Sequence, residues 1–187
     1  MKFNKLAIVT ALMLGVACGV QAADEDPAPA PAPAKDQGHG RITFTGAIID
    51  APCSIDPNSV DQTVELGSIS NITLANSGNS EPKPFEIRLE KCSLATAKNV
   101  KTTFDGPAGA GGLLGITGDA SGASIAITDG NGTQVVMGTA TAGQLISVGA
   151  TNATLAFSAY LKGNGGAADT INPGAFNSVA NFMLSYN

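Results

Sequence analysis

Gly174-Ala175-Phe176-Asn177-Ser178-Val179-Ala180-Asn181-Phe182-Met183-Leu184-Ser185-Tyr186-Asn187 is the stretch whose reading decides the fold. Taking every second residue gives a mostly apolar set: Phe176, Ser178, Ala180, Phe182, Leu184 and Tyr186. The other set, Ala175, Asn177, Val179, Asn181, Met183 and Ser185, is mixed. Period two over this length marks a strand rather than a helix. The strand runs to the last residue, so one of its edges is expected to need cover, because bare edges recruit other strands.

A second alternating stretch lies near the other end of the chain. In Gly38-His39-Gly40-Arg41-Ile42-Thr43-Phe44-Thr45-Gly46-Ala47-Ile48-Ile49, one side carries Gly40, Ile42, Phe44, Gly46 and Ile48. On pattern alone two arrangements fit. The stretch is an ordinary first strand paired within its own chain, or an arm that adds to the terminal strand of another molecule.

What precedes it is not domain-like. Residues 1–22 read as a secretory leader, with Lys2 and Lys5 at the start and an apolar stretch from Leu6 to Val20. That stretch is too short for a membrane span, and Val20-Gln21-Ala22 fits the small-x-small cleavage pattern. Cys18 lacks the Leu three places before it that a lipoprotein leader needs. No later apolar run is long enough to cross a bilayer. Residues 23–37 are rich in Asp, Pro and Ala. The alternating prolines disfavour helix and sheet and predict an extended, disordered spacer. The expected organisation is therefore leader 1–22, spacer 23–37, extension 38–46 and a single β domain 47–187.

Lys2 and Lys5 leave with the leader and all 15 acidic residues remain, so the mature chain carries eight bases and a net charge of −7. That balance argues against nucleic acid or anionic membrane as partners. Export leaves two cysteines, Cys53 and Cys92, in an oxidising compartment, where a disulfide is the expected state. The alternative is a pair of buried thiols. A metal site has too few ligands, since His39 is the one histidine.

The body of the chain reads as many short strands. Expected segments are Arg41–Asp50, Thr63–Leu66, Phe85–Cys92, Val100–Phe104, Ser124–Thr128, Gln134–Met137, Gln144–Val148, Thr154–Leu161 and Ala175–Tyr186. A short helical turn is expected around Ser70–Ala75. Asp129-Gly130-Asn131-Gly132 is a hairpin turn by its chemistry. With 23 glycines and no tryptophan, the pattern predicts an all-β Greek-key sandwich.

Chemistry-bearing motifs do not add up to a reaction. A Ser–His–Asp or Cys–His set needs an anchored histidine, and His39 lies in a Gly-rich stretch. Asp129-Gly130-Asn131 matches the start of a calcium loop, but the twelfth position is Ala140, not a carboxylate. The Gly-rich run 106–115 lacks the Lys-Ser/Thr of a phosphate loop. No enzymatic activity and no cofactor are expected.

The chain resembles the structural pilins of the chaperone–usher pathway, the type 1 and P-pilus-like fimbrial subunits of Gram-negative bacteria. Three features carry the resemblance. The first is Gly40-Arg41-Ile42-Thr43-Phe44-Thr45-Gly46-Ala47-Ile48-Ile49-Asp50-Ala51-Pro52-Cys53-Ser54-Ile55, similar to the family's N-terminal extension running into its first cysteine. The second is Cys92, following a strand. The third is the terminal strand, with Gly174 fourteenth from the end and Tyr186 penultimate. The Asp/Pro/Ala segment is longer than the usual arm and leaves the start of the functional arm open.

The resemblance implies an immunoglobulin-like sandwich lacking its last strand, with a hydrophobic groove beside the terminal strand. It implies a donor strand carrying Gly40, Ile42, Phe44, Gly46 and Ile48. It implies a groove and chaperone-contact strand carrying Gly174, Phe176, Ala180, Phe182, Leu184, Tyr186 and Asn187. The implied partners are neighbouring pilin subunits, a periplasmic pilus chaperone and an outer-membrane usher, with the product a surface fimbrium. The chain is expected to be its major subunit. A minor adaptor of the same system, or a self-contained secreted binding domain, are the alternatives.

Overall fold

The structure is a computed structural model and describes residues 35, 37–96 and 98–187. The leader, with Cys18, and nearly all of the Pro/Ala spacer lie outside the described residues. A compact unit spans Ala47–Asn187, and Gly40, Ile42, Phe44 and Gly46 precede it in the chain. Among the described residues no helix is long and apolar enough to cross a membrane.

The unit is an all-β sandwich of immunoglobulin-like form. Its strands in chain order are β1 (Ser54–Ile55), β2 (Lys83–Glu90), β3 (Lys98–Asp105), β4 (Leu114–Gly115), β5 (Thr117–Gly118), β6 (Ala123–Asp129), β7 (Gln144–Ile146), β8 (Ala153–Gly163), β9 (Phe176–Asn177) and β10 (Asn181–Tyr186). Two short helices, α1 (Pro57–Val60) and α2 (Asn71–Leu74), interrupt the run between β1 and β2. One sheet has the order β1-β2-β8-β6-β4, the second β10-β3-β7, and β5 pairs with β9 in a separate clip. All named pairs are antiparallel.

Strand β8 is the hub of the first sheet, paired to β2 on one side and β6 on the other. Its inward residues Leu155, Phe157, Ala159 and Leu161 are buried, as are Ile87 and Leu89 of β2 and Ile125 and Ile127 of β6. They face Val100 and Phe104 of β3 across the sandwich. An aromatic chain ties the layers together. Phe85 stacks on Phe157 with centroids 5.5 Å apart, Phe157 meets Phe104 edge-on at 5.1 Å, and Phe104 lies 6.4 Å from Phe182 of β10. Such pairs add about 0.5–1.5 kcal/mol each beyond their area burial.

The Asp129–Gly132 turn forms as its chemistry predicts. The Asp129 carboxylate accepts from the amides of Asn131 and Thr133, both at 2.9 Å, and Gly132 takes φ +81°. That carboxylate is thus occupied within its own turn. Cys53 and Cys92 form a disulfide. It fastens β1 to the end of β2, where Ser54 stands opposite Glu90.

Three expected strands are corrected. Arg41–Asp50 and Thr63–Leu66 have strand periodicity but no strand partner, so no ladder forms. Gln134–Met137 makes one bridge to Thr128 and then turns away, its Met137 amide donating to the Gly112 carbonyl at 2.9 Å. The terminal stretch is also not one strand but two, β9 and β10, broken at Ser178–Ala180. The sequence pattern missed β1, β4 and β5. Each is two residues long, too short to show a period.

Candidate functional site: an open groove beside the terminal strand

The chain between β1 and β2 descends along the edge of β2 without joining it as a strand. Its upper part is held by side chains. Asp56 caps α1 by accepting from the Asn58 amide at 2.8 Å. Ser59 accepts from the Arg88 amide at 3.0 Å, and the Gln62 side chain donates to the Glu86 carbonyl at 2.9 Å. Its lower part is held by α2. Ser70 caps that helix through the Ile72 amide, and the Asn71 side chain donates to the Ala168 carbonyl at 3.1 Å. The helix presses so close to β8 that a Cβ on Gly163 would stand 1.9 Å from the Leu74 carbonyl oxygen, so the position demands glycine.

Between these anchors, residues 63–69 have no regular secondary structure, with Gly67 at φ +78°, and make no backbone hydrogen bond among the described residues. Val64, Leu66 and Ile69 are half-buried, and Thr63, Glu65, Gly67 and Ser68 are exposed. The segment is a strand in pattern with its pairing groups left open.

The facing wall is the terminal stretch. Phe176, Ser178, Ala180, Phe182, Leu184 and Tyr186 are all half-buried, and every residue between them is exposed. The alternation read from the sequence is therefore the alternation in the fold. The burial stops halfway because β10 pairs with β3 on one edge only. Residues 178–180 make no backbone hydrogen bond among the described residues.

A groove of about 1010 Å³ separates the two walls. Its floor is the core itself, including Phe85, Ile87, Phe104, Ile125, Ala159 and Leu161. The titratable residues that line it are Asp61 and Glu65, both on the wall of residues 61–69. Such a surface binds extended apolar chain by shape and backbone pairing. Among the described residues no group of His, Cys, Asp and Glu could hold a metal ion.

Of the expected groove residues, Gly174, Phe176, Ala180 and Phe182 line it. Leu184 and Tyr186 share the same face and pack against the core, but lie beyond the groove. Burial raises the pKa of the Tyr186 hydroxyl and keeps it neutral. Asn187 exchanges backbone hydrogen bonds with Asn99 at 3.0 and 3.1 Å. Gly174 is glycine for want of room, since a Cβ there would lie 2.7 Å from Asp119 Cβ and 2.8 Å from the Ala120 amide. The expected donor residues are exposed. Ile42 is 78% exposed, Phe44 89% and Ile48 104%, with no regular secondary structure over residues 37–52. The wall at residues 63–69 is the part of the site that sequence reasoning missed. Its alternation was visible in Val64 and Leu66, but not that it lacks a partner.

Comparison with known proteins gives a consistent result. A family model described as "Fimbrial protein" matches residues 42–187. The fimbria A protein of Serratia marcescens is 53% identical, covering all of this chain and 99% of its own. The major MR/P fimbria protein of Proteus mirabilis is 44% identical with the same coverage. Among solved structures, the P pilus rod subunit PapA aligns with a TM-score of 0.62 at 30% identity, over 73% of this chain and 100% of PapA. A subunit from a chaperone–usher pilus aligns with a TM-score of 0.63 at 32% identity, over 83% of this chain and 100% of that one. With a model covering nearly all of the folded unit and relatives matched end to end, the chain belongs to the fimbrial protein family.

Proposed function

We propose that this fimbrial structural subunit polymerises by strand donation, Gly40–Ile48 of one copy filling the groove of another. A strand added to an open edge gains affinity from its backbone and specificity from alternate side chains. The observation that carries the reading is the pair of unpaired walls. Residues 63–69 and 178–180 each offer backbone groups without partners among the described residues, on either side of an apolar floor. One inserted strand satisfies both. Ile42 and Phe44, now mostly in water, would each gain about 1.5–3 kcal/mol on burial.

An open groove of this kind is an aggregation hazard in a free subunit. The reading therefore includes a periplasmic chaperone that lends a strand, and an outer-membrane usher at which the next subunit's arm replaces it. Relatives named as fimbria A protein and major MR/P fimbria protein support a major shaft subunit of a surface fimbrium. The test is deletion of residues 38–46. The mature full chain is expected to give multimers that survive SDS without boiling, and the deleted chain none. Equal multimers from both chains would refute strand donation by this arm.

A further inference from the structure

We infer that Asn164 is a site of self-modification: the Gly165 amide nitrogen attacks the Asn164 side chain, ammonia leaves, and solvent water converts the residue to aspartate and isoaspartate. The chemistry is independent of strand donation.

The chain has two Asn-Gly pairs, Asn131-Gly132 and Asn164-Gly165. This dipeptide is open to such ring closure because glycine carries no side chain to shield its own amide nitrogen. Both asparagines are exposed, and both glycines take positive φ, +81° at Gly132 and +98° at Gly165. Sequence alone ranks the two pairs equal. The fold separates them on three counts.

The nucleophile differs first. The Gly132 amide donates to the Asp129 carbonyl at 2.9 Å, a bond that has to break before its nitrogen can turn to the side chain. The Gly165 amide makes no hydrogen bond among the described residues. The electrophile differs next. Negative charge collects on the side-chain Oδ1 as the ring closes. Ser124 donates its hydroxyl to Asn164 Oδ1 at 2.7 Å and itself accepts from the Ala110 amide at 3.1 Å. Ser124 is buried, so this donor is held in place and aimed where charge develops. Among the described residues no hydrogen bond reaches the Asn131 side chain. Charge differs last. The Asp129 carboxylate accepts from the Asn131 amide at 2.9 Å, and its negative charge opposes an anion forming beside it.

The atoms balance with water as the co-reactant. The Gly165 nitrogen bonds to Asn164 Cγ and gives up its proton. The Cγ–Nδ2 bond breaks, and that nitrogen leaves as ammonia with the proton. Water then opens the cyclic imide. Cleavage of the bond from the Gly165 nitrogen to Cγ gives aspartate. Cleavage of its bond to the Asn164 main-chain carbonyl carbon gives isoaspartate, with the chain now running through Cγ.

The two products differ in effect. Aspartate keeps an oxygen for the Ser124 hydroxyl. Isoaspartate lengthens the main chain by one carbon in the loop that seats α2. There Gly163 lies against Leu74, the Gly166 carbonyl accepts from the Asn76 amide at 2.7 Å, and the Ala168 carbonyl accepts from the Asn71 side chain at 3.1 Å. The isoaspartyl form therefore loosens α2.

The test incubates the mature full chain in warm, mildly alkaline buffer, both native and in denaturant. Cleavage after Lys101 and Lys162 places the two asparagines on separate peptides. Mass spectrometry, with aspartyl and isoaspartyl forms resolved by chromatography, follows each. In the native chain Asn164 is expected to convert about tenfold faster than Asn131, about 1.4 kcal/mol in barrier, and the two rates converge in denaturant. Equal native rates, or a faster Asn131, would overturn the inference. Ser124→Ala is expected to slow Asn164 and leave Asn131 unchanged. An unchanged Asn164 rate in that folded variant would overturn the part given to Ser124. If the variant does not fold, the native and denatured rates of the parent decide. The Asn164→Asp variant is expected to melt with the parent and the isolated isoaspartyl fraction below it. An isoaspartyl fraction that melts with the parent would overturn the loosening of α2.

Discussion

Replacing Gly46 by Arg is expected to give a subunit that folds and is held by its chaperone, yet forms no fibre. Within its own chain Gly46 has nothing within 4 Å of where a Cβ would stand, so its domain has no reason to change. The damage falls on the copy that receives the arm. There a long, charged side chain would have to enter a groove with an apolar floor, whose carboxylates, Asp61 and Glu65, stand on the wall of residues 61–69. Taking a charge out of water costs several kcal/mol, and about 1.4 kcal/mol is already a factor of ten in an equilibrium constant. Electron microscopy of cells making only this variant should show no fimbriae, with monomer retained before assembly. Normal fibres would count against the arm assignment.

Replacing Cys53 by Ser is expected to lower the amount of folded subunit sharply. The disulfide closes a separation of 39 residues, worth about 4 kcal/mol on the chain-entropy model. It also binds the first wall of the groove to the sheet, because β1 and α1 follow Cys53 directly. A sandwich with an open groove has little stability to lose, so the loss reaches the folded population. Periplasmic yield and thermal unfolding of the variant check this, and unchanged accumulation would contradict it.

How far the sequence reached is clearest in the strands it misplaced. The terminal stretch was legible residue by residue, because period two depends only on which side chains meet the core. The Asp129–Gly132 turn and the helical turn at Asn71–Leu74 were legible because their causes are local: an Asp that bonds the next amides and a Ser that caps. The pairs β4–β6 and β5–β9 were not, since two-residue strands are fixed by distant partners. Thr63–Leu66 and Arg41–Asp50 carry strand pattern but no ladder. Pattern records what a segment can pair with, and pairing requires that the partner be present. In the proposed fibre these two segments lie side by side, one as the wall and the other as the inserted strand. The alternation of Gly40–Ile48 was legible in the sequence, and the resemblance implied both its donor role and a groove beside the terminal strand; what pattern could not give was that the wall at residues 63–69 lacks a partner, because a missing neighbour leaves no trace in a sequence.

The central claim is that the domain is incomplete without a strand from elsewhere. The most direct test removes residues 23–46 from the mature chain and refolds the remainder alone or with a peptide covering residues 36–49. The account predicts an unstable, aggregation-prone domain whose melting temperature rises with peptide, on the order of 10 °C at a hundred-fold excess over Kd. A truncated domain as stable as the full chain and indifferent to the peptide would contradict it, and would mean that the sandwich is complete by itself.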